Sequence, residues 1–229
     1  MTDPVDQLAH LPLPPPPALG SDLEAELGSL APVQTRRPMH RVLVLAVLSL
    51  IYGGALVLVL TLRKDMHELP MGWLAGVATA WFLGFLVPSY LALVPRPGSM
   101  SPRWQVAGIA VAITSVALVT LGLTMHPMGP SSGNYGVEQF GNGHTCLEIG
   151  LATALMPVVI GAIFLRGALP VGSRWIAAAL GAGGGCLGGL VLHLHCHIAD
   201  GLHIGLIHGG VVILAAALSA AIVPRATRV

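Results

Sequence analysis

The sequence predicts an all-α membrane protein: a six-transmembrane-helix bundle with both termini cytoplasmic, preceded by a short cytoplasmic amphipathic helix. Three observations carry this expectation. The chain of 229 residues is 54% hydrophobic and only 9% charged, whereas soluble domains carry about 25% charged residues. Its apolar residues gather in six stretches, each close to the roughly 20 residues that a helix needs to cross a bilayer. Its 11 Lys and Arg residues divide unevenly between the alternate loops that join those stretches.

Residues 1–41 form the first unit. They hold the acids Asp3, Asp6, Asp22, Glu24 and Glu26, no basic residue before Arg36, and the run from Leu11 to Pro17, which reads as a stiff polyproline spacer. Ser21 and Glu24 stand three apart, as in a capping box, and open a short helix on which Leu23, Leu27 and Leu30 share one face. A helix of about ten residues is marginal alone in water, so the leucine stripe is expected to dock. Helices that lie on membranes carry basic residues on their polar face, and this one carries acids. The i, i+4, i+7 spacing fits a groove on a protein partner. Pro32 and Arg36-Arg37-Pro38 end the segment.

The transmembrane unit is 42–223, with spans at 42–62, 70–94, 105–125, 146–165, 174–195 and 202–223, and a tail at 224–229. The first apolar stretch has no small-residue cleavage site behind it, so it is expected to remain as a span. With the N-terminus inside, Arg36, Arg37, Arg41, Arg96, Arg103, Arg166, Arg174, Arg225 and Arg228 face the cytoplasm and only Arg63 and Lys64 face out. That bias predicts the orientation, with multi-pass placement in a bacterial inner membrane. Pro88 and Pro157 read as kinks. Gly181, Gly183, Gly184, Gly185, Gly188 and Gly189 thin the fifth span, and Gly205 and Gly209 form a small-xxx-small pair in the sixth, so these two helices are expected to press together. The glycine-rich loop 127–143 reads as a flexible lid over their outer end.

That outer end concentrates the reactive side chains. Residues 193–208 hold five of the 10 histidines and one of the three cysteines, and ionisable groups at membrane depth are functional by default. His193, Cys196 and His197, spaced i, i+3 and i+4, share a helix face. Asp200-Gly201 supplies a turn that returns the chain with His203 in the first turn of the sixth helix. His208, deeper, could bond a neighbouring carbonyl or join the site. Thr145 and Glu148 form a second capping box that places Cys146 at the first position of the fourth helix, where the helix N-terminus favours thiolate, with His144 beside it. If the fourth and fifth helices are neighbours, Cys146 and Cys196 can pair as a disulfide. Alternatively they bind a divalent metal such as zinc with His193, His197, His203 or His144. Cys186 lies about 15 Å deeper and stands apart. A single histidine at a membrane boundary is commonly just a solvated residue, but two cysteines and six histidines on one face exceed an even scatter.

The acidic leucine helix, Leu30-Ala-Pro-Val33, Arg36-Arg37-Pro38, Cys146 opening the fourth span, Ala154-Leu155-Met156-Pro157 within it and Leu194-His195-Cys196 closing the fifth follow one another in this order. In this the chain, over roughly residues 22–223, resembles the NrsF-type negative regulators of sigma factors, six-span anti-sigma factors of the bacterial inner membrane. The resemblance implies a regulator that is not an enzyme, whose partners are an extracytoplasmic-function sigma factor and the lipid bilayer, with no direct contact to nucleic acid. It places Leu23, Glu24, Leu27 and Leu30 in the sigma-binding segment. It makes Cys146 and Cys196 a sensing pair whose response to metal or oxidant releases the sigma factor. His197 departs from the family, which has proline and then an acid after the second cysteine; the extra histidines could tune the site toward a metal or toward singlet oxygen. The competing readings are a metal or small-solute transporter with an outward His/Cys site, and a membrane oxidoreductase holding haem or copper on His193, His197 or His203.

Overall fold

The computed structural model describes residues 38–94, 101–125, 127, 143–166 and 173–227. The capping box at Ser21 and the residues Leu23, Glu24, Leu27 and Leu30 lie outside them, as does most of the 127–143 loop. The helices are α1 (Pro38–Leu60), α2 (Met71–Leu93), α3 (Arg103–Thr124), α4 (Gly143–Leu165), α5 (Ser173–His195), a π-helical turn (His203–His208) and α6 (Gly209–Ala226), which continues from it. Among the described residues, six segments are long and apolar enough to cross a membrane, the last being His203–Ala226 as one piece. Proline punctuates the starts. Pro38 is the first residue of α1, where its missing N–H costs no bond, and Pro70 and Pro102 cap α2 and α3.

The bundle is organised around α5. Its span is 89% buried, against 22–44% for the other five, and it touches every one of them. A helix apolar on all sides belongs at the centre, and glycine lets neighbours approach to backbone contact. Gly181 and Gly185 face α6 at Ala215, Ser219 and Val212; Gly184 and Gly188 face α4 at Ala154 and Gly150; Gly183 and Gly189 face α2 at Ser89 and Trp81. Two overlapping i, i+4 pairs therefore seat two different helices on one rod. In water this much glycine would weaken a helix by about 1 kcal/mol per residue, but in a bilayer the backbone has no alternative partner for its polar groups. Large aliphatic side chains such as Leu58, Ile113, Val116 and Leu155 point outward, as the lipid-facing side of a bundle requires.

One packing expectation changes. Gly205 and Gly209 turn to α3, where a Cβ on them would meet Leu123 and Val119. The α5–α6 contact comes instead from Gly181 and Gly185, because the π turn rotates the first residues of the sixth span away from α5.

Arginines close the carbonyl ends of helices. Arg41 Nη1 donates to the Phe164 carbonyl of α4 at 3.1 Å, and the Arg103 guanidinium donates to the Ala92 carbonyl of α2. Cations at helix C-termini also oppose the helix dipole.

The glycine seats give a direct test. A side chain on Gly188 would strike the carbonyl of Gly150, a backbone atom that no rotamer change moves aside, whereas Gly54 on α1 has nothing within 4 Å. Gly188→Leu is expected to destabilise the protein by about 1–3 kcal/mol or more. Gly54→Leu should be neutral. Thermal unfolding of both variants in detergent checks the pair.

Candidate functional site

The site lies at the end of the bundle where α4 and the sixth span begin and α5 ends. The helical hydrogen bonding of α5 extends to Cys196, whose N–H donates to the Leu192 carbonyl at 2.7 Å. The chain then runs without regular secondary structure to Asp200. Its carboxylate accepts the His203 N–H at 3.1 Å, an N-cap that fixes where the next helix starts. The helix opens with an α-type bond from the Ile204 N–H to the Asp200 carbonyl at 2.9 Å and then widens to i→i+5 bonding over His203–His208, the Gly209 N–H reaching back to the Ile204 carbonyl. Such wide turns are rare and concentrate at functional sites.

The π turn decides which side chains meet. In an α-helix, residues five apart point about 140° away from each other. Here the His203 and His208 rings sit edge to face with centroids 5.0 Å apart. Both are buried, at 2% and 1% exposure. His203 Nε2 lies 3.5 Å from Cys196 Sγ, and Cys146 Sγ lies 3.7 Å from Cys196 Sγ. One donor atom from each of Cys146, Cys196, His203 and His208 falls within 4.8 Å of the others, a group able to hold a metal ion. Among the described residues, neither ring nitrogen of His208, nor Nδ1 of His203, makes a hydrogen bond of ordinary geometry.

All three cysteines are free thiols. Cys146 donates to Cys196. That bond, reinforced by His203, holds the Cys196 thiol well below the ordinary range against the opposing effect of burial. The helix-start argument for Cys146 does not hold. Helix α4 begins at Gly143, so Cys146 is its fourth residue rather than its first, and Thr145 lies inside the helix, its hydroxyl 3.3 Å from Nε2 of His144. The capping-box reading fails because the helix extends two residues past the proposed cap.

Of the histidines that the sequence nominates, His203 joins the cysteines, and His193, His197 and His144 do not belong to that close group of donor atoms. His193, 1% exposed, donates from Nε2 to the Leu74 carbonyl of α2 at 3.1 Å and packs edge-on against Trp73. A central helix has neighbours on every side, so the 60° between residues i and i+3 is enough to separate His193 from Cys196. His197 and His144 are exposed. Cys186 is fully buried near Gly84 of α2. His208 is the member that helical-face reasoning leaves undecided, since an α-helical period turns it away from His203. The glycines at 205, 209 and 210 are the one local hint of an irregular helix.

The α1–α2 loop braces this end. Its Thr61 adopts φ 69°, a left-handed conformation costly for a β-branched residue, and its carbonyl accepts Nδ1–H of His195 at 2.9 Å. The Arg63 N–H donates to the Leu194 carbonyl at 3.0 Å, and its Nη1 to the His193 carbonyl at 3.3 Å. These bonds satisfy two of the carbonyls that the end of α5 leaves open. The same guanidinium pairs with Asp65 at 2.7 Å and holds that carboxyl below the usual range.

No curated protein and no solved structure gives a match to the chain. The family described as NrsF, negative regulator of sigma F, matches residues 28–228. A match over nearly the whole length, on a six-helix bundle that brings Cys146 and Cys196 into contact, identifies the chain as a member of the NrsF family.

Proposed function

We propose that this protein is an inner-membrane anti-sigma factor that holds an extracytoplasmic-function sigma factor through residues 1–41 and releases it when the Cys146–Cys196 pair reacts with metal or oxidant. The observation that carries the reading is the placement of two free thiols 3.7 Å apart at the end of the bundle opposite Arg41, Arg103 and Arg174. The arginine-rich end is the cytoplasmic one by the positive-inside bias. Both termini then lie inside with the sigma factor, and the cysteines lie outside, where oxidants and environmental metals arrive. Leu23, Glu24, Leu27 and Leu30 form the docking segment in this reading, and Leu30 alone of these falls within the family match.

The link between the two ends is α5. It carries Cys196 just past its outer end and fills the bundle axis with backbone contacts, which also argues against a solute path between the helices. The regulatory reading is therefore preferred to a transporter or an oxidoreductase.

Membranes containing the full-length protein should retain the sigma factor in a pull-down, and membranes containing a chain without residues 1–37 should lose it. Equal retention by both would overturn the proposed docking segment.

A further inference from the structure

We propose that Cys146, Cys196, His203 and His208 form a closed, four-ligand site for a tetrahedral divalent cation of the zinc class. The inference deepens the sensor reading and rests on it for biological meaning, but coordination can be tested without the sigma factor.

The distances fit. With Zn–S bonds of about 2.3 Å and Zn–N bonds of about 2.0–2.1 Å, a regular tetrahedron has an S···S edge of about 3.8 Å and an S···N edge of about 3.5 Å. The corresponding separations are 3.7 Å between the sulfurs and 3.5 Å from Cys196 Sγ to His203 Nε2. The fourth donor comes from His208, and all four lie within 4.8 Å of one another.

The second observation is the state of the histidines. His208 is 1% exposed, and among the described residues neither of its ring nitrogens makes a hydrogen bond of ordinary geometry. Buried polar atoms are normally satisfied, and one left open calls for an unseen ion or water. A ligand role accounts for one nitrogen of His208 directly. It also gives a use to the π turn, which sets two histidines five residues apart side by side.

The donor set selects the ion. Two thiolates and two imidazoles suit Zn²⁺, Cd²⁺ and Co²⁺, whereas Mg²⁺, Ca²⁺ and Mn²⁺ favour oxygen ligands. Two thiolates also balance a divalent charge, so the complex is formally neutral, which matters at the edge of a low-dielectric bilayer. Four protein ligands leave no open coordination position, the mark of a structural or regulatory site rather than a catalytic one. Bound metal would tie the start of α4 to the π turn and occupy both sulfurs, so metal loading and a Cys146–Cys196 disulfide exclude each other.

The test is a Co²⁺ titration of the reduced, chelator-treated full-length protein in detergent. One equivalent per chain with the intense visible bands of tetrahedral sulfur and nitrogen coordination, displaced by Zn²⁺, is the expected result. His208→Ala should weaken binding by about 100-fold or more, beyond what loss of an outer-shell partner costs. His197→Ala should leave it unchanged. His208→Cys should restore tetrahedral binding with stronger sulfur charge-transfer absorption, which separates a lost ligand from a misfolded chain. Weak, octahedral spectra from the wild type, or undiminished binding by His208→Ala, would overturn the site. If Co²⁺ binds as expected but cells carrying Cys196→Ser still respond to stress, the site stands and the sensor reading falls. If Co²⁺ fails to bind while Cys196→Ser cells no longer respond, the thiol sensor stands and the metal site falls.

Discussion

Leu27→Asp is expected to switch on the sigma factor's regulon without any stimulus. In the proposed docking helix Leu27 is the middle anchor of the stripe Leu23, Leu27 and Leu30, and burying a leucine is worth about 1.5–3 kcal/mol. Aspartate forfeits that contribution and adds the cost of pressing a carboxylate into an apolar groove. Together these weaken binding by a factor on the order of 100 or more, at about 1.4 kcal/mol per tenfold. Ala25 stands about 160° around the helix from Leu27 by the 3.6-residue period, so Ala25→Asp should leave repression intact. A reporter for the regulon, read in unstressed cells, distinguishes the two. A silent reporter in Leu27→Asp cells would show that the stripe does not hold the sigma factor.

Cys196→Ser should have the opposite phenotype, a protein that binds the sigma factor and never releases it. Cys196 is 5% exposed and touches both Cys146 Sγ and His203 Nε2, so it belongs to either chemistry the sensor could use. Moving a switch from mostly held to mostly free takes about 5.5 kcal/mol of differential interaction. A disulfide or a multidentate metal site is of that order; a serine hydroxyl can form neither an S–S bond nor a thiolate–metal bond. Induction by metal or oxidant is expected to collapse to about one-fold by this arithmetic, with sigma binding unchanged in a pull-down. Cys186→Ala serves as the control, since Cys186 is sealed inside the bundle and should leave the response in place. Normal induction in Cys196→Ser cells would remove the cysteine from the mechanism.

The six spans are legible from hydropathy because a bilayer demands long apolar helices, and their ends fall within a few residues of the expected ones wherever proline marks them. The meeting of Cys146 with Cys196 is legible because both stand at span ends on the same side of an alternating topology. What hydropathy hides is lateral order. Nothing in a list of apolar stretches says which helix is central, although the glycines of the fifth span hint at it. The sequence argument assigns them to a single α5–α6 contact, whereas Gly181 and Gly185 serve α6, and Gly184 and Gly188 serve α4. Centrality in turn explains why His193 turns to Leu74 instead of toward Cys196. The π turn is illegible for a different reason. It depends on α3 accepting Gly205 and Gly209 against its own Gly122, Leu123 and Val119, a tertiary condition that the glycines at 205, 209 and 210 hint at but do not specify, and His208 enters the cluster only through it.

The central place of α5 also bears on biogenesis. Helices leave the ribosome in order, so α1 to α4 enter the membrane before the rod on which they are to be seated. Until residues 173–195 arrive, Trp81, Gly150 and Leu45 lack the α5 neighbours of the finished protein, and the early spans have only one another to pack against. The native arrangement is thus deferred to the fifth insertion. A ribosome that stalls before that point leaves four helices without the rod that joins them.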